Sequence, residues 1–188
     1  MNQIIYETSY EGMPIQVVDT ARSRYLRFDK EDGYNGKNIQ TKLNKKEPYW
    51  LMSVYQRMVD HVDFEKANTY LILGLGGGTM PKYISHKKPE AKIDVVELLP
   101  EVIDIAYEYF ALKKTPNITV YNEDGLEFIK NTEKTYDVIW WDIFGRGGKT
   151  PPHLKQELVQ DKLDAILNDK GTLIFNKGSG QFTHYVKP

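Results

Sequence analysis

The stretch LILGLGGGTM, residues 71–80, places four glycines within five positions directly after three aliphatic residues. Glycine loses more backbone entropy on ordering than any other residue. Such a cluster is useful where the chain needs positive φ or where another molecule must approach its backbone closely. What precedes and follows it decides between a tight turn and a binding loop.

From Thr69 onward the sequence alternates between short buried strands and amphipathic helices. Tyr70 to Gly74, Lys92 to Glu97, Ile118 to Tyr121, Asp137 to Asp142 and Thr172 to Phe175 read as strands. The helical patterns between them are clearest over Pro100 to Phe110, with Val102, Ile105, Ala106 and Tyr109 on one side, and over His153 to Leu167. This order predicts a mostly parallel sheet with helices on both faces, a Rossmann-like α/β fold. Before it, Gln3 to Ser9, Ile15 to Asp19 and Arg24 to Phe28 read as extended runs, separated by turns at Glu11-Gly12 and Asp32-Gly33. They predict a small antiparallel β-appendage over residues 1–47, ahead of a main domain over residues 48–188. After Pro48, the spacing of Leu51, Val54, Tyr55, Met58, Val59 and Val62 predicts a helix.

In this frame the glycine loop follows the first strand of the parallel sheet and opens a helix, the context of a nucleotide site. Gly74, Gly76, Gly77 and Gly78 are its binding candidates. Glu97 ends the next strand, 19 residues after Gly78, where an acid can bridge two ribose hydroxyls. Asp124 and Gly125 end the third strand. A carboxylate there either caps the following helix or accepts a hydrogen bond from an adenine amino group. Asp142 ends the fourth strand of the alternation and is the candidate for chemistry. Trp140 and Trp141 read as sheet packing on opposite faces, since side chains alternate along a strand.

Composition narrows the function classes. A net charge of −1 gives no general attraction to nucleic acid or to an anionic membrane, and Lys42 to Lys46 and His86 to Lys88 read as solvated faces. The absence of cysteine excludes disulfides and thiolate chemistry. His61, His86, His153 and His184 lack the spacing of a metal site. No leader-like or membrane-spanning run is present, and the expected location is cytoplasmic.

The chain resembles the spermidine-synthase-like branch of the class I S-adenosylmethionine-dependent methyltransferase superfamily. The resemblance runs from Tyr6 to about Asn176. It is carried by Asn38-Ile39-Gln40-Thr41-Lys42, Glu47-Pro48-Tyr49, the glycine loop, Val95-Val96-Glu97-Leu98-Leu99-Pro100, Glu123-Asp124-Gly125 and Val138-Ile139-Trp140-Trp141-Asp142. It implies an adenosyl cofactor, either S-adenosylmethionine or its decarboxylated form. Glu97 would take the ribose, Asp124 the adenine, Gln40 the cofactor tail, Tyr49 the substrate amine, and Asp142 would stand beside the reacting centre.

The departures from that pattern are also informative. Polyamine-forming members carry an acid in the glycine loop where Gly77 stands, and another three residues beyond Asp142, where Gly145 stands before Arg146 to Pro152. A third acid, two positions after Tyr49, is replaced by Leu51. Three carboxylates that would hold cationic amines are missing. After Asn176 only one further strand, Phe182 to Val186, fits before the chain ends, so a homodimer could complete the sheet edge. The expected function is alkyl transfer, methyl or aminopropyl, to a small nucleophile, with an amine favoured. The alternatives are an adenosyl-nucleotide-binding protein without turnover and an NAD-dependent oxidoreductase. Thr79, where a third glycine of GxGxxG would stand, counts against the oxidoreductase.

Overall fold

The computed structural model describes residues 2–28, 39–144, 157–178 and 180–188. The turn at Asp32-Gly33, Asn38, Gly145 to Pro152 and the first residues of the helix expected from His153 lie outside them. Two sheets organise the chain. The first is antiparallel, in the order β1 (Gln3–Tyr10), β2 (Met13–Asp19), β3 (Ser23–Phe28) and β4 (Ile39–Asn44). The sequence reading has only three of these strands. The segment read as a motif, Ile39 to Lys42, lies in the fourth, with a bulge opposite Leu26 and Arg27.

The second sheet holds β5 (Thr69–Leu73), β6 (Lys92–Glu97), β7 (Ile118–Asn122), β8 (Tyr136–Trp141), β9 (Leu167–Gly178) and β10 (Gln181–Val186). Its spatial order is β10-β9-β8-β5-β6-β7, parallel except for the β9–β10 pair. The chain runs outward from β5 through β6 to β7, then returns to the other side of β5 for β8. That reversal makes the carboxyl ends of β5 and β8 a crevice, the position where open α/β sheets bind ligands.

Alternation along the strands builds two cores. Tyr70, Ile72, Ile93, Val95, Val138, Trp140 and Ile174 point to one face and pack with residues of α1 (Ser53–Val59) and α2 (Thr79–Lys87). Leu71, Leu73, Val96, Ile139, Trp141 and Leu173 point to the other and meet α4 (Gly125–Asn131) and α5 (Glu157–Ile166). The paired tryptophans therefore serve opposite layers, each nearly fully buried. Burying an aliphatic side chain of this kind contributes about 1.5–3 kcal/mol, so these layers dominate the favourable side of folding.

The α1 helix is shorter than its apolar spacing suggests. Leu51 and Val62 lie outside it yet are buried in the same core. A third cluster joins Ile15, Val17, Leu26 and Leu43 of the first sheet to Leu99, Val102, Ile105 and Phe110 in and around α3 (Pro100–Tyr109). The small sheet is thereby fixed over the glycine-loop side of the large one.

Candidate active site

The glycine loop begins where two strand ends touch. Gly74 has φ 99°, its N–H donates to Val96 O at 2.8 Å, and an added Cβ would lie 2.5 Å from the carbonyl oxygen of Asp142. Only glycine fits there. Farther along, the Gly77 N–H donates to Thr41 Oγ1 at 2.8 Å and the Gly78 N–H to Leu75 O at 2.9 Å. A Cβ on Gly77 would stand 2.7 Å from both Phe110 Cδ1 and Thr41 Cγ2. The loop is thus packed from behind by β4 and the end of α3. At its exit, the buried Thr79 hydroxyl has no hydrogen-bond partner.

Glu97 draws this loop toward β6. Its Oε2 accepts from Leu75 N at 2.9 Å and its Oε1 from Leu99 N at 3.0 Å. Burial pushes its carboxyl above the usual range, against the opposing pull of backbone N–H groups. Each oxygen keeps a second lone pair, so the same carboxylate can hold the loop and accept from two hydroxyls. At the end of β7, Asp124 Oδ1 accepts from Leu126 N at 2.8 Å and Glu127 N at 3.2 Å. Asp124 is the N-cap of α4, the capping role that its sequence position allows. Gly125 follows in tight quarters, since a Cβ there would lie 2.7 Å from Ile143 Cδ1.

Asp142 is gripped from two sides. The Tyr55 hydroxyl donates to Oδ2 at 2.7 Å and Asn176 Nδ2 donates to Oδ1 at 2.7 Å. Burial lifts its carboxyl to about 6, with a smaller contribution from the Glu97 charge, while the two hydrogen bonds pull the other way. Tyr55 is itself held well above the usual phenol range, chiefly by burial and then by Asp142, so it remains a donor. Its ring lies 6.4 Å from that of Trp140.

The structure brings together Gly74, Gly76, Gly77, Gly78, Glu97, Asp124, Gly125 and Asp142 along one edge of the sheet. Gln40 sits in the β4 bulge next to Thr41, the residue that touches the loop. Tyr49 does not join them. Its ring stacks on His86 at 4.1 Å, near the far end of α2, and the phenol that reaches Asp142 is Tyr55. Tyr55, Asn176 and Thr41 were not singled out from sequence. Tyr55 carries only the signal of a helical core position, and Asn176 only that of a strand end. The glycine amides are also less free than a bare glycine run suggests, because Thr41 and Leu75 occupy those of Gly77 and Gly78.

The model of the spermine/spermidine synthase domain matches residues 52–187. The chain belongs to this family. Within the spermine/spermidine synthase domain family and its surroundings, similar proteins include the human eEF1A lysine and N-terminal methyltransferase, 30% identical over 118 residues. That match covers 56% of this chain and 17% of the human protein. A polyamine aminopropyltransferase of Vibrio vulnificus is 33% identical over 114 residues, covering 59% of this chain and 38% of that one. Among solved structures, a probable spermidine synthase from Corynebacterium glutamicum aligns over 93% of this chain and 64% of its own, with TM-score 0.74 and 19% identity. It supports the fold alone. Human methyltransferase-like protein 13, in complex with SAH, aligns with TM-score 0.55 and 27% identity over 60% of this chain and 55% of that one. The chain spans well under half the length of the curated relatives named here.

Proposed function

We propose that this chain transfers a methyl group from S-adenosylmethionine to an amine, with Asp142 holding the amine and accepting its proton. The observation that carries the reading is the partly buried Asp142 carboxylate, gripped by Tyr55 and Asn176 on a strand end whose backbone touches Gly74. The residues present fit an adenosyl group. The glycine cradle leaves no room for side chains, Glu97 faces it with acceptor capacity to spare, and an unpartnered Thr79 hydroxyl lies at its exit. When bound, the cofactor supplies an alkyl group activated by a positive sulfonium.

The protein's own tasks are positioning and proton transfer. An alkyl ammonium with a pKa near 10.4 is neutral in only about one molecule per thousand at neutral pH, and only the neutral form is a nucleophile. A carboxylate that titrates near 6 is a stronger base than an ordinary aspartate and is still mostly ionised at neutral pH. It attracts the ammonium and takes the proton as the amine reacts. Tyr55 and Asn176 hold both oxygens in place, which fixes the acceptor's approach.

The choice of methyl over aminopropyl transfer rests on Gly77. An acid at that position would hold the lone ammonium of the decarboxylated cofactor, and Phe110 and Thr41 fill the space its side chain would need. The printed names of the relatives, a lysine and N-terminal methyltransferase and a polyamine aminopropyltransferase, support an amine acceptor in either case. The same reading includes a homodimer paired through β10. The test is incubation with methyl-labelled S-adenosylmethionine and a panel of polyamines and lysine peptides, followed by mass spectrometry. A methylated amine that disappears with Asp142→Asn supports the proposal. Tight cofactor binding with no product from any acceptor would favour a binding protein without turnover.

A further inference from the structure

Away from the active-site edge, a cavity of about 230 Å³ opens between α2 and the segment linking α3 to β7. Its polar lining consists of Tyr49, Lys82, Ser85, His86, Lys113 and Thr115, and no carboxylate is among the described residues that line it. Hydrogen-bond donors and the cations of Lys82 and Lys113 thus face a half-open space, and no carboxylate among the described lining residues balances them.

Two of these side chains have unused capacity. Lys82 is 5% exposed, and its Nζ donates to Phe110 O, where the chain leaves α3 through Ala111 at φ 58°. An ammonium carries three donors, so this carbonyl uses one. No acid pairs with Lys82 among the described residues, and burial pulls its pKa down to about 8. Buried lysines without a counter-charge are rare because desolvation is costly. On the opposite wall, Thr115 Oγ1 is buried with no hydrogen-bond partner. Helix capping accounts for one proton of Lys82 and leaves Thr115 unexplained. The flat Tyr49–His86 stack, 7° from parallel, forms one side.

We propose that this cavity binds a small oxyanion of the phosphate class, free or carried on a metabolite, held by Lys82, Thr115 and Lys113. A tetrahedral oxyanion offers acceptor oxygens in several directions, which suits donors arriving from α2 and from the α3–β7 segment at once. It also supplies the charge that Lys82 lacks. None of the three residues belongs to the glycine loop or to the Glu97, Asp124 and Asp142 group, so the site stands independently of methyl transfer.

Calorimetric titration of the full chain with inorganic phosphate, with chloride at matched ionic strength as the control, tests this. The expected result is saturable binding at one site, weakened at least about tenfold by Lys82→Met and several-fold by Thr115→Val and by Lys113→Ala. Because Lys82→Met also removes a cap from α3, Thr115→Val and Lys113→Ala decide the question if that variant fails to fold. Repeating the titration with glycerol phosphate, which carries no nucleoside for the glycine loop to hold, distinguishes a carried phosphate, for which the ester binds tighter than inorganic phosphate, from a free one, for which it binds no tighter. No saturable phosphate binding by the wild type, or affinity unchanged in the folded variants, overturns the proposal.

Discussion

The carboxyl of Asp142 titrates near 6 because burial and the Glu97 charge outweigh two hydrogen bonds that favour ionisation. Its raised pKa makes ionisation a cost to the fold. The associated stability is present below the unfolded pKa near 3.8 and is lost as pH rises through about 6, a difference on the order of 2–3 kcal/mol. Asp142→Asn should therefore melt no lower than the wild type at neutral pH, while turnover falls by roughly 10²-fold or more and cofactor affinity stays within a few-fold. A variant of normal turnover would mean that Asp142 only organises the strand end. Since the ionised form is the base, kcat/KM should rise with pH through about 6 and then level until another group intervenes. Tyr55→Phe removes a hydrogen bond that lowers this pKa, so its pH–rate profile should show the acid limb displaced to higher pH. An unmoved limb would assign it to some other group.

At the level of elements, β4 and the glycine loop are one device. The Thr41 hydroxyl satisfies the Gly77 N–H, while its methyl and the Phe110 ring occupy the space beside Gly77. Thr41→Val preserves the shape and leaves that amide unpaired, so denaturant melts should show a loss of about 1–3 kcal/mol together with weaker cofactor binding. Stability equal to wild type would indicate that water replaces the hydroxyl. This coupling also marks what the sequence could disclose. The five parallel strands, the glycine turn and the strand-end positions of Glu97 and Asp142 were legible, because periodicity and turn chemistry are local properties. Thr41, Tyr55 and Asn176 were not, since each meets its partner across a separation of 34 to 87 residues. Tyr49 misled for the opposite reason. It lies in a recognisable motif, but its ring packs on His86. Asp124 follows the local rule and caps α4.

Across the whole molecule, the large sheet ends in an edge that little covers. Tyr185 and Val186 of β10 are 45% and 52% exposed, and among the described residues β10 pairs on one side only, with β9. An open, largely uncharged edge is a template for a second strand. Sedimentation of the proposed homodimer should give a dimer that Val186→Lys shifts toward monomer, and a wild type that sediments as a monomer at every concentration would remove the pairing from the account. The central claim concerns the middle of that sheet, at the carboxyl ends of β5 and β8, where a glycine cradle and a partly buried carboxylate meet. Side-by-side calorimetric titration with S-adenosylmethionine and its decarboxylated form tests it most directly. The account predicts that S-adenosylmethionine binds at least as tightly, because Gly77 offers no side-chain carboxylate to a lone ammonium. A preference of about tenfold or more for the decarboxylated form, with putrescine consumed, would contradict it.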